Sequence, residues 1–157
     1  MRVGIVLLCL AYVVSQFFRN FLAVLTEKLH LDIGATSDDL AFAMGLWFLT
    51  FSLMQIPVGT ALDKVGPKLT GSFIFLFGGA GGSVIFALAT TPLHITISMG
   101  LIGVGCSPAL MGAYYIFART YDPKIFASLA AIMIGVGSFG NLAGAAPLAF
   151  AIDLFGF

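Results

Sequence analysis

Three stretches of this chain carry no Asp, Glu, Lys or Arg at all: residues 40–62, 69–118 and 125–152. The hydrocarbon core of a bilayer is about 30 Å thick, and a helix rising 1.5 Å per residue crosses it in about 20 residues. Uncharged runs of this length therefore read as membrane crossings. The first run is one span, at residues 39–62. The second is long enough for two, and Thr90-Thr91-Pro92-Leu93-His94 supplies the turn that divides it into spans at 69–89 and 95–118. The third run holds a span at 126–151. Ahead of them, residues 3–29 form a further apolar segment, interrupted by a few polar residues and Arg19. The expectation is an all-α integral membrane protein with five transmembrane helices.

Composition excludes the main alternatives. Only 9% of the 157 residues are charged, against about 25% in soluble domains. A globule of this size could not hide so much apolar surface, so a soluble enzyme and a disordered tail are excluded. Seven basic and seven acidic residues cancel, which leaves no polyelectrolyte partner, nucleic acid included. Cys9 and Cys106 sit within apolar runs and suggest neither a disulfide framework nor a metal site. No cofactor is expected, and no acid pair or Cys-His set within the spans points to an enzyme.

The first segment has the short basic start and apolar length of a signal peptide. No small-x-small cleavage site follows, however, and Ser15-Gln16-Phe17-Phe18-Arg19 continues into further apolar residues. A retained span is the better reading. In the five-span arrangement Arg2, Lys64, Lys68, Arg119 and Lys124 fall on one side and Lys28 on the other. Glu27, Asp32, Asp38, Asp39 and Asp153 gather opposite the basic group. An excess of Lys and Arg in short loops marks the cytoplasmic side. The expectation is a multi-pass protein of the cell membrane with a cytoplasmic N-terminus.

Small residues let membrane helices approach closely. Span three contains Gly78-Gly79-Ala80-Gly81-Gly82. Span four has Gly100, Gly103 and Gly105 on or near one face and then Pro108, and span five has Gly137, Gly140 and Gly144. Ordinary packing explains each glycine singly, while their repetition over three helices suits helices that rock against one another, as carriers need.

The most specific segment joins spans two and three: Gly59-Thr60-Ala61-Leu62-Asp63-Lys64-Val65-Gly66-Pro67-Lys68. Gly59 permits close packing, Asp63 places a carboxylate at the membrane edge near a helix N-terminus, and Gly66-Pro67 makes a tight turn. These residues resemble the signature of the major facilitator superfamily: a glycine, three residues, Asp-Arg/Lys, any residue, Gly, then two basic residues. Gly59, Asp63, Lys64, Gly66 and Lys68 match it, and Pro67 replaces the first of the terminal basic pair. The resemblance implies a gating loop, latching one state of a carrier. Span four is similar to the family's glycine-rich fourth helix, with Met99 where an arginine often stands. Span five shares little of the antiporter motif, since Gly144 is followed by Ala145 and the proline comes only at Pro147. Family members have two six-helix halves. The expectation for residues 1–157 is thus a major-facilitator-type bundle, an incomplete six-helix N-terminal half whose C-terminal half is missing.

Arg19 lies about sixteen residues into the first span, roughly 24 Å along it. A charge at such depth costs at least about 2.5–3.5 kcal/mol to insert and normally faces a cavity. Tyr12, Ser15, Arg19 and Thr26 fall on one helical stripe, flanked by Gln16 and Asn20, with Val13, Phe17, Phe21, Val24 and Leu25 on the opposite side. No acidic residue lies in the middle of any span, and the planar fork of a guanidinium suits carboxylate or phosphate. Tyr12 to Ala23 resembles the first helix of the family's organophosphate- and organic-anion-carrying branches. The resemblance implies that Arg19 binds the anionic group and that Tyr12 donates a hydrogen bond. Phe18 stands where the sugar-acid branch has an acidic residue, and span five lacks the antiporters' histidine. Gln16, Asn20, Asn141 and Tyr115 are further candidates to line the cavity, with Ser52, Gln55, Tyr114 and Ser138 weaker ones. His94 reads as a loop residue, and Trp47 as packing or lipid contact.

The resulting expectation is a secondary active transporter of a small organic anion, working by alternating access with substrate near the midplane. Its partners would be that anionic small molecule, the lipid bilayer and the missing half of the protein. The alternative is a non-transporting multi-pass subunit or scaffold that packs through glycine-rich helices.

Overall fold

The computed structural model describes residues 2–155. The side chains of Arg2 and Asp153, counted in the charge asymmetry, lie outside those described, as does Phe157. Ten α-helices are found among the described residues: α1 Arg2–Val24, α2 Thr26–Ile33, α3 Ser37–Leu53, α4 Gln55–Lys64, α5 Pro67–Ile74, α6 Gly81–Ala87, α7 Pro92–Cys106, α8 Pro108–Thr120, α9 Pro123–Ala143 and α10 Ala146–Phe155. A π-helical turn, Phe75–Ala80, joins α5 to α6. They assemble five helical rods long and apolar enough to cross a membrane: Gly4–Val24, Ser37–Lys64, Pro67–Ala87, Pro92–Thr120 and Pro123–Ile152.

Prolines set the breaks within the rods. A proline lacks the N–H that would bond the carbonyl four residues back, and its ring crowds that carbonyl. Helix α3 accordingly ends at Leu53, four before Pro57, and α9 at Ala143, four before Pro147. In the fourth rod Pro108 leaves the Val104 carbonyl without its helical donor. The Ser107 hydroxyl donates to it at 2.6 Å, beside the Ser107 N–H at 3.2 Å. The first rod stops short of the residue 29 expected. Helix α1 ends at Val24, and Thr26 opens the separate, more polar α2. Thr26 therefore belongs to a different helix from Tyr12 and Arg19. Between α2 and α3 the chain turns through Gly34 at φ 67°. Helix α3 then starts from a capping box: the Asp39 N–H donates to Thr36 Oγ1 at 3.2 Å, and the Thr36 N–H donates to Asp39 Oδ2 at 3.0 Å.

The rods form two compact units, residues 26–111 and residues 1–25 with 112–157. In the first, α7 is the central helix. Against α3, Gly103 meets the Trp47 carbonyl, and a Cβ on Gly100 would lie 3.1 Å from Leu46 Cδ2. The Thr50 hydroxyl, within reach of carbonyls in its own helix, also lies 2.9 Å from the Gly100 carbonyl as donor. On another side Gly105 touches the backbone of Gly78 and Gly79, and Gly82 lies against Ser98 and Ile102. Gly100, Gly103 and Gly105 thus do not share a face. Two residues along a helix turn it by about 200°, so Gly105 points away from Gly103. The π turn falls at Gly78-Gly79, where the Ser83 hydroxyl donates to the Gly79 carbonyl at 2.7 Å. Trp47 is buried at the α3–α7 contact, so packing rather than lipid contact is its role.

In the second unit α1 packs along α9. The seam on α1 runs through Tyr12, Val13, Gln16 and Phe17, met by Gly137 and Gly140 of α9 and by Gly144 at its C-terminal cap. Val13 and Phe17, on the side expected to oppose the polar stripe, contribute backbone carbonyls to this seam. Glycine at α9 exposes so little that the α1 backbone itself becomes the contact surface.

Candidate functional site

The polar residues of α1 are placed in pairs. Gln16 Nε2 donates to the Tyr12 hydroxyl at 2.9 Å, one helical turn apart. That hydroxyl, accepting from the amide, keeps its own proton for another acceptor. Asn20 Nδ2 donates to Asn141 Oδ1 at 2.6 Å, across to α9. The bond joins two side chains 121 residues apart and leaves the Asn20 oxygen and the Asn141 amide nitrogen with bonding capacity of their own. Tyr12 lies within electrostatic range of both Arg19 and Tyr114. Tyr12, Gln16, Arg19, Asn20 and Asn141 therefore belong to one unit, on α1 and the helix packed along it.

Arg19 is exposed on the surface of its unit, whereas Ser15, expected on the same stripe, is buried. On the same helix Phe17, Phe18 and Phe21 form an aromatic cluster, with ring centroids 5.7–5.9 Å apart.

Tyr115 stands apart from this group. The Arg119 guanidinium lies over its ring, 4.1 Å from the centroid, a cation–π pairing at the end of α8. Its neighbour Tyr114, singled out less strongly from sequence, is the one within range of Tyr12, and its ring meets Phe126 edge-on at 5.8 Å. Ser138 turns its hydroxyl to the Ile134 carbonyl of its own helix at 3.1 Å, and the Gln55 amide does the same to Phe51. His94, expected in a loop, lies in the first turn of α7, where its Nδ1 accepts from the Thr90 N–H at 3.3 Å.

The signature segment folds as helix, turn and helix in the other unit. Asp63 and Lys64 occupy the last turn of α4, both exposed, and Lys68 the first turn of α5. Gly66 adopts φ 96° and ψ 160°, and its N–H donates to the Ala61 carbonyl at 3.2 Å. Pro67, the departure from the motif, is the first residue of α5, where a proline's missing donor has no helical partner to lose. Gly59 does not hold a tight contact: a Cβ there would meet only Met111 Sδ, at an ordinary 3.9 Å. Reading from sequence missed the role of Gly137, which lies against the Tyr12 ring. The spacing of 137, 140 and 144 signals a packing face but not which residues fill it.

Comparison with known proteins supplies the rest. Residues 8–157 match the Major Facilitator Superfamily. The chain is 29% identical over 143 residues to the 4-hydroxybenzoate transporter PcaK of Pseudomonas aeruginosa, covering 90% of this chain and 32% of that protein. The PcaK of Acinetobacter baylyi is 25% identical over 142 residues, 90% of this chain and 31% of its own length. The D-galactonate transporter of Escherichia coli is 26% identical over 105 residues, 67% of this chain and 24% of that protein. The chain thus spans about a third or less of the length of these relatives. With five membrane-length helices and a family match over nearly all its residues, this multi-pass membrane chain belongs to the major facilitator superfamily.

Proposed function

We propose that this chain is the N-terminal part of a secondary transporter that carries a small organic anion by alternating access. The observation that carries the reading is the polar face of α1, where Tyr12, Gln16, Arg19 and Asn20 stand together in an otherwise apolar helix, tied to α9 through Asn141. Arg19 binds the anionic group, Tyr12 donates its remaining proton to it, and the Asn20–Asn141 pair and Tyr114 line the neighbouring wall. Tyr115, held by Arg119, belongs to the end of α8 and supports the site from there. The relatives' substrates, 4-hydroxybenzoate and D-galactonate, each present one carboxylate, the group that a guanidinium fork grips with two hydrogen bonds. Gly59, Asp63, Lys64, Gly66 and Lys68 form the gating loop, on the cytoplasmic side by the Lys/Arg pattern. The missing C-terminal half supplies the opposite wall.

The test is uptake of labelled 4-hydroxybenzoate and D-galactonate into vesicles carrying the intact protein. A hydrogen bond to a charged group contributes about 1.5–3 kcal/mol, so Arg19→Gln lowers affinity about tenfold to a hundredfold. Arg19→Lys restores part of it as a point charge. Unchanged uptake in Arg19→Gln would sink the anion site. No uptake by the wild type would favour a non-transporting subunit.

A further inference from the structure

Gly137 of α9 is buried, and a Cβ built on it would run into Cδ1 and Cε1 of the Tyr12 ring, with Cζ 3.4 Å away. The three nearest atoms all belong to that ring, which is rigid beyond its two side-chain torsions, so relief must come from swinging the whole ring. One turn on, Gly140 meets the Val13 carbonyl and would bring a Cβ to 3.0 Å from Gln16 Cβ. Beyond it the Asn20–Asn141 hydrogen bond closes the seam. The ring of Tyr12 thus lies in a notch that exists only because residue 137 has no side chain, while its hydroxyl is held by Gln16 at 2.9 Å.

We infer that Gly137 is a positioning residue for anion binding: the notch it leaves seats the Tyr12 ring and so fixes the direction of the Tyr12 hydroxyl on the helix that carries Arg19. This rests on the reading of Arg19 and Tyr12 as anion ligands. The role differs from helix packing in general, because it acts through one ring. Filling the notch swings that ring and moves its hydroxyl off the substrate while Arg19 stays in place. Gly135, two residues earlier, has nothing within 4 Å of the position its Cβ would take and serves as the control on the same helix.

The test is a double-mutant cycle in proteoliposomes holding the intact protein, with 4-hydroxybenzoate and D-galactonate as probe anions. In the Tyr12 background, Gly137→Ala raises KM about tenfold, the worth of one hydrogen bond to a charged acceptor, with little change in kcat. Gly135→Ala leaves both unchanged. In a Tyr12→Ala background, whose KM is already raised, adding Gly137→Ala changes KM by less than about twofold, because the clashing ring is gone. An equal rise in both backgrounds overturns the inference, as does an unaltered KM for Gly137→Ala alone. If Gly137→Ala aggregates, recovery of a monodisperse protein by Tyr12→Ala supports the notch, and aggregation in both backgrounds overturns it. Unchanged KM in Arg19→Gln, or no uptake of either anion by the wild type, removes the underlying reading and the inference with it. Loss in Arg19→Gln without Gly137–Tyr12 coupling removes the inference alone.

Discussion

Gly66 stands at φ 96° and ψ 160°, a region of backbone space that a Cβ makes all but inaccessible. Nothing lies within 4 Å of where that Cβ would go, so the penalty of a substitution is conformational and not steric crowding from neighbours. Gly66→Ala is therefore expected to destabilise the α4–α5 turn by about 1–3 kcal/mol, seen as a lower midpoint of thermal unfolding in detergent. This residue was legible in the sequence, because Gly-Pro punctuates a turn whatever surrounds it. Which of Tyr114 and Tyr115 meets Phe126 and which lies under Arg119 was not. Adjacent positions on a helix differ by about 100° in direction, and the phase of α8 is set by the break at Ser107-Pro108 and by what packs on it. A pattern of residue types carries neither. Arg19 was visible as a charge in an apolar run, but the pairing of its neighbour Asn20 with Asn141 across to α9 became visible only with α1 folded.

Glycines at the helix contacts divide into two kinds. Gly105 touches the backbone of Gly78 and Gly79, which cannot swing aside as a side chain can. An added methyl there must part α7 from the π turn. Overpacking typically costs about 1–3 kcal/mol, and a backbone neighbour puts Gly105→Ala at the upper end. Gly45 in α3 has open space around it, so Gly45→Ala is neutral or stabilising by about 0.5–1 kcal/mol through helix propensity. Comparing the two unfolding midpoints in one detergent checks the pair. Sequence reading located these glycine-rich helices but placed Gly100, Gly103 and Gly105 together. It failed because lipid and protein are equally apolar surroundings for a membrane helix, so hydropathy does not reveal which side meets a neighbour. The proline breaks were closer to legible, each following from one missing N–H.

At the scale of the whole chain, charge scarcity was the strongest signal, since four of the five expected crossings rest on runs free of charge and the first rod, Gly4–Val24, holds only Arg19. The proposed orientation follows from where the remaining charges sit. Single cysteines placed in the turn at Gly66 and in the turn at Gly34 are expected to react with a membrane-impermeant thiol reagent from opposite sides of sealed vesicles. Cys9 and Cys106 are buried and give little background. Labelling of both turns from the same side would refute the alternation of the rods. The contacts at Gly78, Gly103, Gly105, Gly137 and Gly140 bear on how such a chain tolerates change. A scan of every substitution would show an inverted map. The large outward residues, such as Phe73, Leu76 and Ile132, would exchange freely among apolar types, while these bare positions would accept almost nothing. The chain's identity would be held most tightly by the residues with the least chemistry of their own.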